Sequence, residues 1–324
     1  MKLYPTRIVF LVLGILSILA GLLLSPQLMI RLGPMRGSLT NENSLVRNSA
    51  ELEIVLFKVA AIIAGVVFFL IWLMWSRVIK GRLVQFLIDQ GEAEDASTTG
   101  IFNLSFFVMI VSSLASFIFL AVAEKVMSKE QALAIAFEDG FVENGSAVLF
   151  LLAAIVAGIV AFIGDRTAIQ KATMLVFAFG LFFIAGEEIS WGQRIFGVET
   201  MDSLKEIDVQ GENNLHNAFG YLADHLFIAG VFVLGVVIPF LYRRYQAFRG
   251  FFRFFGFPIA SVGLGIGVFV ISMAHQWLVE AFVDIGYGLR VAEPREFLSS
   301  LAFFLLMMET FRRSRSRSTE DSVV

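Results

Sequence analysis

Eight apolar runs, separated by loops of alternating charge, constrain this chain more than any other feature: Ile8–Leu24, Ile54–Trp75, Ile101–Ala123, Ser146–Ile163, Ala172–Gly186, Leu226–Tyr242, Gly256–Trp277 and Phe297–Met308. Most approach the roughly 20 residues an α-helix needs to cross a bilayer. The fifth is extended into Glu187–Trp191 and the last is begun near Pro294, because both are short by that measure. The expected fold is all-α, a polytopic membrane protein of about eight transmembrane helices near residues 8–24, 54–75, 101–123, 146–163, 172–191, 217–242, 256–277 and 295–310. Residues 1–311 are read as one transmembrane helical domain and residues 312–324 as a cytoplasmic tail rich in Arg and Ser.

Composition supports the bilayer reading. The chain is 57% hydrophobic and 16% charged, against about 45–50% and about 25% in soluble domains. It has no cysteine, which excludes disulfides, thiol nucleophiles and thiolate metal sites. The first run, which follows Lys2 and Arg7, is expected to be a span rather than a signal peptide. It outruns the usual apolar core of about 7–15 residues, and no small-residue cleavage site follows.

Charge sets the orientation, since Lys and Arg collect on the cytoplasmic side of a membrane. Eight spans put Lys2 and Arg7, then Arg77, Lys80 and Arg82, then Arg166 and Lys171, then Arg243, Arg244, Arg249 and Arg253, and finally Arg312, Arg313, Arg315 and Arg317 on one side. Both termini are therefore expected in the cytoplasm. The same rule reads the Arg/Ser tail as a topology signal, and no nucleic acid is expected as a partner.

The opposite loops hold the unusual polar motifs. Between the fifth and sixth spans lies GEEISWGQRIFGVETMDSLKEIDVQGENNLHN, Gly186–Asn217. Polar groups held near a bilayer are costly and therefore functional candidates. Continued as a helix, the fifth span would put Glu187, Ser190, Trp191 and Arg194 on one face, with Glu188 on the neighbouring face. Adjacent carboxylates cannot point the same way, so Glu187 or Glu188 is the candidate general base or ligand while the other pairs with an Arg. A plain helix end with structural Glu–Arg pairs is the competing reading.

Further along, Glu212, Asn213, Asn214, His216 and Asn217 precede the sixth span, where Asp224 stands beside His225. A carboxylate next to a His orients the imidazole for metal binding or proton shuttling. The two adjacent Asn are equally suited to turn and cap chemistry. His216, His225 and His275 are the only three histidines, and all fall near the outward halves of spans six and seven. Converging with Glu187 or Glu188 they would make a zinc or iron site, although no H-E-x-x-H spacing is present. Acidic residues at Asp139 and Glu143, and Glu293 beside Pro294, suit helix N-termini. Arg290 and Arg295 are candidates to clamp an anionic head group through the guanidinium fork. Trp191, Gln193 and Asn217 complete the expected substrate-binding set.

The motifs EDGFVEN, GEEISWGQRIFG and QGENNLHN together resemble those of an uncharacterised group of bacterial multispanning membrane proteins, over Phe137–Asn217. That resemblance implies the bacterial plasma (inner) membrane and no particular reaction. A weaker similarity is to the CAAX-type intramembrane proteases. Glu187-Glu188 opens their first motif, but Arg194 comes late, neither His225 nor His275 follows a Phe four residues earlier, and Val279 stands where Asn or Asp belongs.

The expected function is a membrane enzyme with an extracytoplasmic carboxylate/His site, hydrolysing or transferring a group on a lipid or lipid-linked substrate. Glu187, Glu188, Ser190, Arg194, Glu212 and Asp224 are the catalytic candidates. His216, His225 and His275 are the candidate ligands of a divalent metal such as zinc. A proton-coupled transporter or channel, and a non-catalytic assembly protein, are the alternatives.

Overall fold

A computed structural model describes residues 4–32, 39–40, 42, 44–74, 81–91, 100, 103–136, 140–197, 221–275, 278–279, 282–283, 285–287, 289 and 291–321. Every element among the described residues is a helix. Five are long and apolar enough to cross a bilayer, Ala50–Leu73, Leu104–Val126, Lys129–Val160, Ala168–Glu188 and Leu226–Arg244, and Arg7–Leu23 and Val262–His275 are shorter apolar helices. The surface agrees: Val176 and Phe179 are each 69% exposed and Val111 63%. Apolar side chains exposed in such numbers suit contact with lipid, since water-soluble monomers rarely expose large apolar patches. This is the build of an all-α membrane protein.

The chain divides into two compact units, Met1–Phe86 with Phe219–Leu226, and Leu87–Ala218 with Phe227–Val324. In the first, α1 (Tyr4–Leu23) and α3 (Ser44–Leu73) pack along each other, with the short α2 (Pro26–Leu32) between them in sequence. Small residues let the backbones approach. A Cβ on Gly14 would lie 3.2 Å from the Gly65 carbonyl oxygen, and one on Gly65 would lie 2.9 Å from that of Gly14. Such contacts replace the hydrophobic drive that lipid removes.

The second unit is built on α7 (Phe141–Val160), α8 (Ala168–Glu188) and α13 (Ala292–Asp321), with α7 packed against both others. Gly145 of α7 faces the Phe297 ring of α13. Near the other ends of these helices, Val160, Ala161 and Met174 pack with Phe311, and Arg166 donates to the Ser314 hydroxyl at 2.7 Å. Helices α7 and α13 thus run parallel, α8 antiparallel to both. Thr167 and Gln170 cap α8 reciprocally. One end of the trio carries Glu143, Glu188 and Glu293; the other carries arginines.

Around it stand α5 (Leu104–Val126), α6 (Lys129–Ala136), the Phe227–Phe232 part of α9 (Tyr221–Phe232), α10 (Ile238–Arg244), α11 (Gln246–Phe255) and α12 (Val262–Phe269), with α4 (Arg82–Gln90) earlier in the chain. Two stretches wind as π-helix, Val233–Val237 between α9 and α10 and Val270–His275 after α12. At the arginine end α11 crosses the last turn of α4, with Gly250 against the Leu87 backbone and Arg249 donating to the Gly91 carbonyl at 3.1 Å.

Candidate functional site

Helix α8 stops at Glu188 because the backbone turns left-handed just beyond it: φ is 47° at Ser190, 53° at Trp191 and 75° at Gly192. Non-glycine residues avoid that region, so the run reverses the chain at a local conformational cost. The helical face expected to join Glu187, Ser190, Trp191 and Arg194 does not form. Instead Trp191 folds back over the last turn of α8, where its indole packs edge-on to Phe183 with ring centroids 5.3 Å apart. Its Nε1 donates to Glu187 Oε1 at 2.6 Å. Gly186 makes the fold-back possible, since a Cβ there would sit 2.8 Å from the Trp191 ring. Trp191 remains 45% exposed, in keeping with aromatic residues at a membrane boundary.

This geometry separates the two adjacent carboxylates. Glu187 is buried and bonded to Trp191. Glu188 lies where the charges of Glu143, in the first turn of α7, and Glu293, in the first turn of α13, act on it. Three helices therefore contribute one carboxylate each to this end of the bundle. Arg295, 7% exposed, follows on the same first turns of α13, and its charge reaches His275.

His275 ends the second π-helical stretch and is 3% exposed. Its Nε2 shares a hydrogen bond of 3.1 Å with the Ser116 hydroxyl of α5, whose direction depends on the tautomer. Its Nδ1 has no partner among the described residues, nor have the buried hydroxyls of Ser113 and Ser272. A buried polar group left unpaired costs about 1–3 kcal/mol, so α5 and the π-helical stretch keep hydrogen-bonding capacity at Ser113, Ser272 and His275 that these contacts do not use. Leu120, Ala132, Ala136, Val279 and Leu289 form an apolar cap nearby, and Tyr287 donates to the Met127 carbonyl at 3.0 Å.

Of the expected site residues, Glu187, Glu188, Ser190, Trp191, Gln193, His275 and Arg295 are thus placed in the second unit. Glu212, His216, Asn217 and Arg290 lie outside the described residues, and Arg194, Asp224 and His225 are described by backbone alone. Among the described residues no three His, Asp or Glu side chains form a group suited to a metal ion. Glu143 and Glu293 prove to be neighbours of Glu188, although the sequence offered them helix N-termini as sufficient explanation. Ser116 was missed altogether. A serine in an apolar span gives no signal until its partner, 159 residues away, is known.

Compared with protein-family models, curated proteins and solved structures, the chain matches none.

Proposed function

We propose that this chain is an integral membrane enzyme that hydrolyses, or transfers a group on, a lipid or lipid-linked substrate at the outer boundary of a bacterial plasma membrane. In this reading it has eight spans, both termini are cytoplasmic, and the carboxylate end of the second unit is the extracytoplasmic end. One observation carries the reading: Glu188 meets the charges of Glu143 and Glu293 from two other helices, at the end of the bundle where the first turns of α13 also carry Arg295, whose charge reaches His275. Glu188 takes or returns the proton, His275 with Ser116 relays it, and Arg295 holds the anionic head group. A positioned acid–base residue contributes about 10²–10⁴-fold to a rate. A zinc or other divalent ion would require His216 and His225 to join His275.

The test is turnover of a radiolabelled bacterial lipid extract by the purified protein, with products separated by chromatography. Glu188→Gln should keep the protein folded and monodisperse while lowering turnover at least about 100-fold. Glu187→Gln, which keeps an acceptor for Trp191, should cost much less. Full turnover by Glu188→Gln would remove Glu188 from the chemistry.

A second reading is favoured by the buried Ser113 and His275 and the half-buried Ser116 and Ser272, carried by α5 and the π-helical stretch. Such groups inside a bundle suit proton-coupled transport. Reconstituted vesicles that acidify only when a solute gradient is imposed, and fail to with His275→Ala, would select it.

A further inference from the structure

At the end of the bundle away from the carboxylates, the first π-helical stretch, α10 and α12 enclose an open groove of about 470 Å³, within the size range of small-molecule sites. Its floor is made by two glycines. A Cβ on Gly265 would lie 2.9 Å from the Gly235 carbonyl oxygen, and one on Gly235 would meet the Val268 side chain. The walls are apolar: Phe240 is 59% exposed, Phe269 49% and Ile266 37%. Only one end is charged, where Arg243 and Arg244 close α10.

The two arginines differ. Arg243 is partly turned into the protein, donating to the Ala260 carbonyl at 2.7 Å. Arg244 is exposed, and among the described residues it has no acidic partner; its guanidinium lies over the Tyr245 ring, 5.5 Å from the centroid. Immediately beyond, α11 is two-faced. Arg249 and Arg253 turn back to Tyr242, whose carbonyl and hydroxyl accept from them, while Phe248 and Phe251 remain exposed. A helix of this kind lies in the plane of the membrane interface, at head-group level.

We propose that this groove is a binding site for one anionic phospholipid, an acyl chain lying between α10 and α12 and the phosphate resting on Arg244. The apolar trough fits a hydrocarbon chain, and its single charged end fits the sign of the head group. The site is independent of the carboxylate end and of any reaction there.

The full chain, purified in a neutral detergent, can be titrated with phosphatidylglycerol, phosphatidylcholine or inorganic phosphate, and bound lipid counted by native mass spectrometry. One phosphatidylglycerol should be retained in preference to phosphatidylcholine, with inorganic phosphate failing to displace it. Arg244→Gln should weaken phosphatidylglycerol retention about fivefold, the effect of one surface arginine, and leave phosphatidylcholine unchanged. Ile266→Trp, which fills the trough, should reduce retention of both, and it decides the matter if Arg244→Gln does not fold. Equal retention of the two lipids, displacement by phosphate alone, or undiminished binding by Ile266→Trp would overturn the proposal.

Discussion

Trp191 reaches Glu187 only because residue 186 has no side chain to meet its ring. Gly186→Ala should therefore push the indole off the last turn of α8. Overpacking of this sort costs about 1–3 kcal/mol, so a lower Tm in detergent and a red-shifted tryptophan emission are expected. An unchanged melt and spectrum would show that Trp191 does not need the fold-back. Trp191→Phe should keep the ring contacts with Phe182 and Phe183 while leaving Glu187 without its indole donor, so its loss of stability should exceed that of an exposed aromatic swap. The sequence brought attention to Glu187 and Glu188 together but could not part them. Their division of labour depends on three consecutive left-handed residues, two of which, Ser190 and Trp191, are types that give no warning of that conformation.

Among the elements, the arginine end is tied by one carboxylate. Glu309 of α13 accepts from the Ser261 amide at 2.9 Å and from the Ser261 hydroxyl at 2.7 Å, and Ser261 caps α12 by accepting from the Leu264 amide. The Asn103 side-chain amide, which belongs to the cap of α5, donates to the Ser261 hydroxyl at 2.6 Å. Charge-assisted hydrogen bonds are worth about 1.5–3 kcal/mol each when lost singly, whereas an N-cap alone is worth about 1. Glu309→Ala should therefore destabilise more than Ser261→Ala, and the double variant should lose less than the sum, a coupling measurable by a double-mutant cycle. The apolar runs that became α5, α8 and α9–α10 are legible from length and hydropathy. This knot is not, since Asn103 and Glu309 stand 206 residues apart and each looks like an ordinary polar residue at the edge of an oily run.

For the molecule as a whole, hydropathy separated the membrane-sized helices from the rest, and five of the expected spans recur as helices long enough to cross. The first and seventh recur as shorter apolar helices, and the eighth lies within the 30-residue α13, whose second half turns polar. The proposed sidedness can be checked cleanly because the chain has no cysteine. A single cysteine at Ser128, exposed between α5 and α6, should react with an impermeant maleimide in intact cells. One at Ser316, exposed near the end of α13, should react only after the membrane is opened. Labelling of both in intact cells would overturn the topology. The two π-helical stretches bear on how tolerant such a chain is of length changes. A π-turn is an α-helix carrying one residue too many, so deleting one residue from Val233–Val237 should leave a continuous helix from α9 into α10. Its azimuth should hardly change, because the regular α-helix closes over the residue removed. An excision that would turn everything beyond it by about 100° in a regular helix should here preserve the helicity seen by circular dichroism and leave α10 and α12 flanking the same trough.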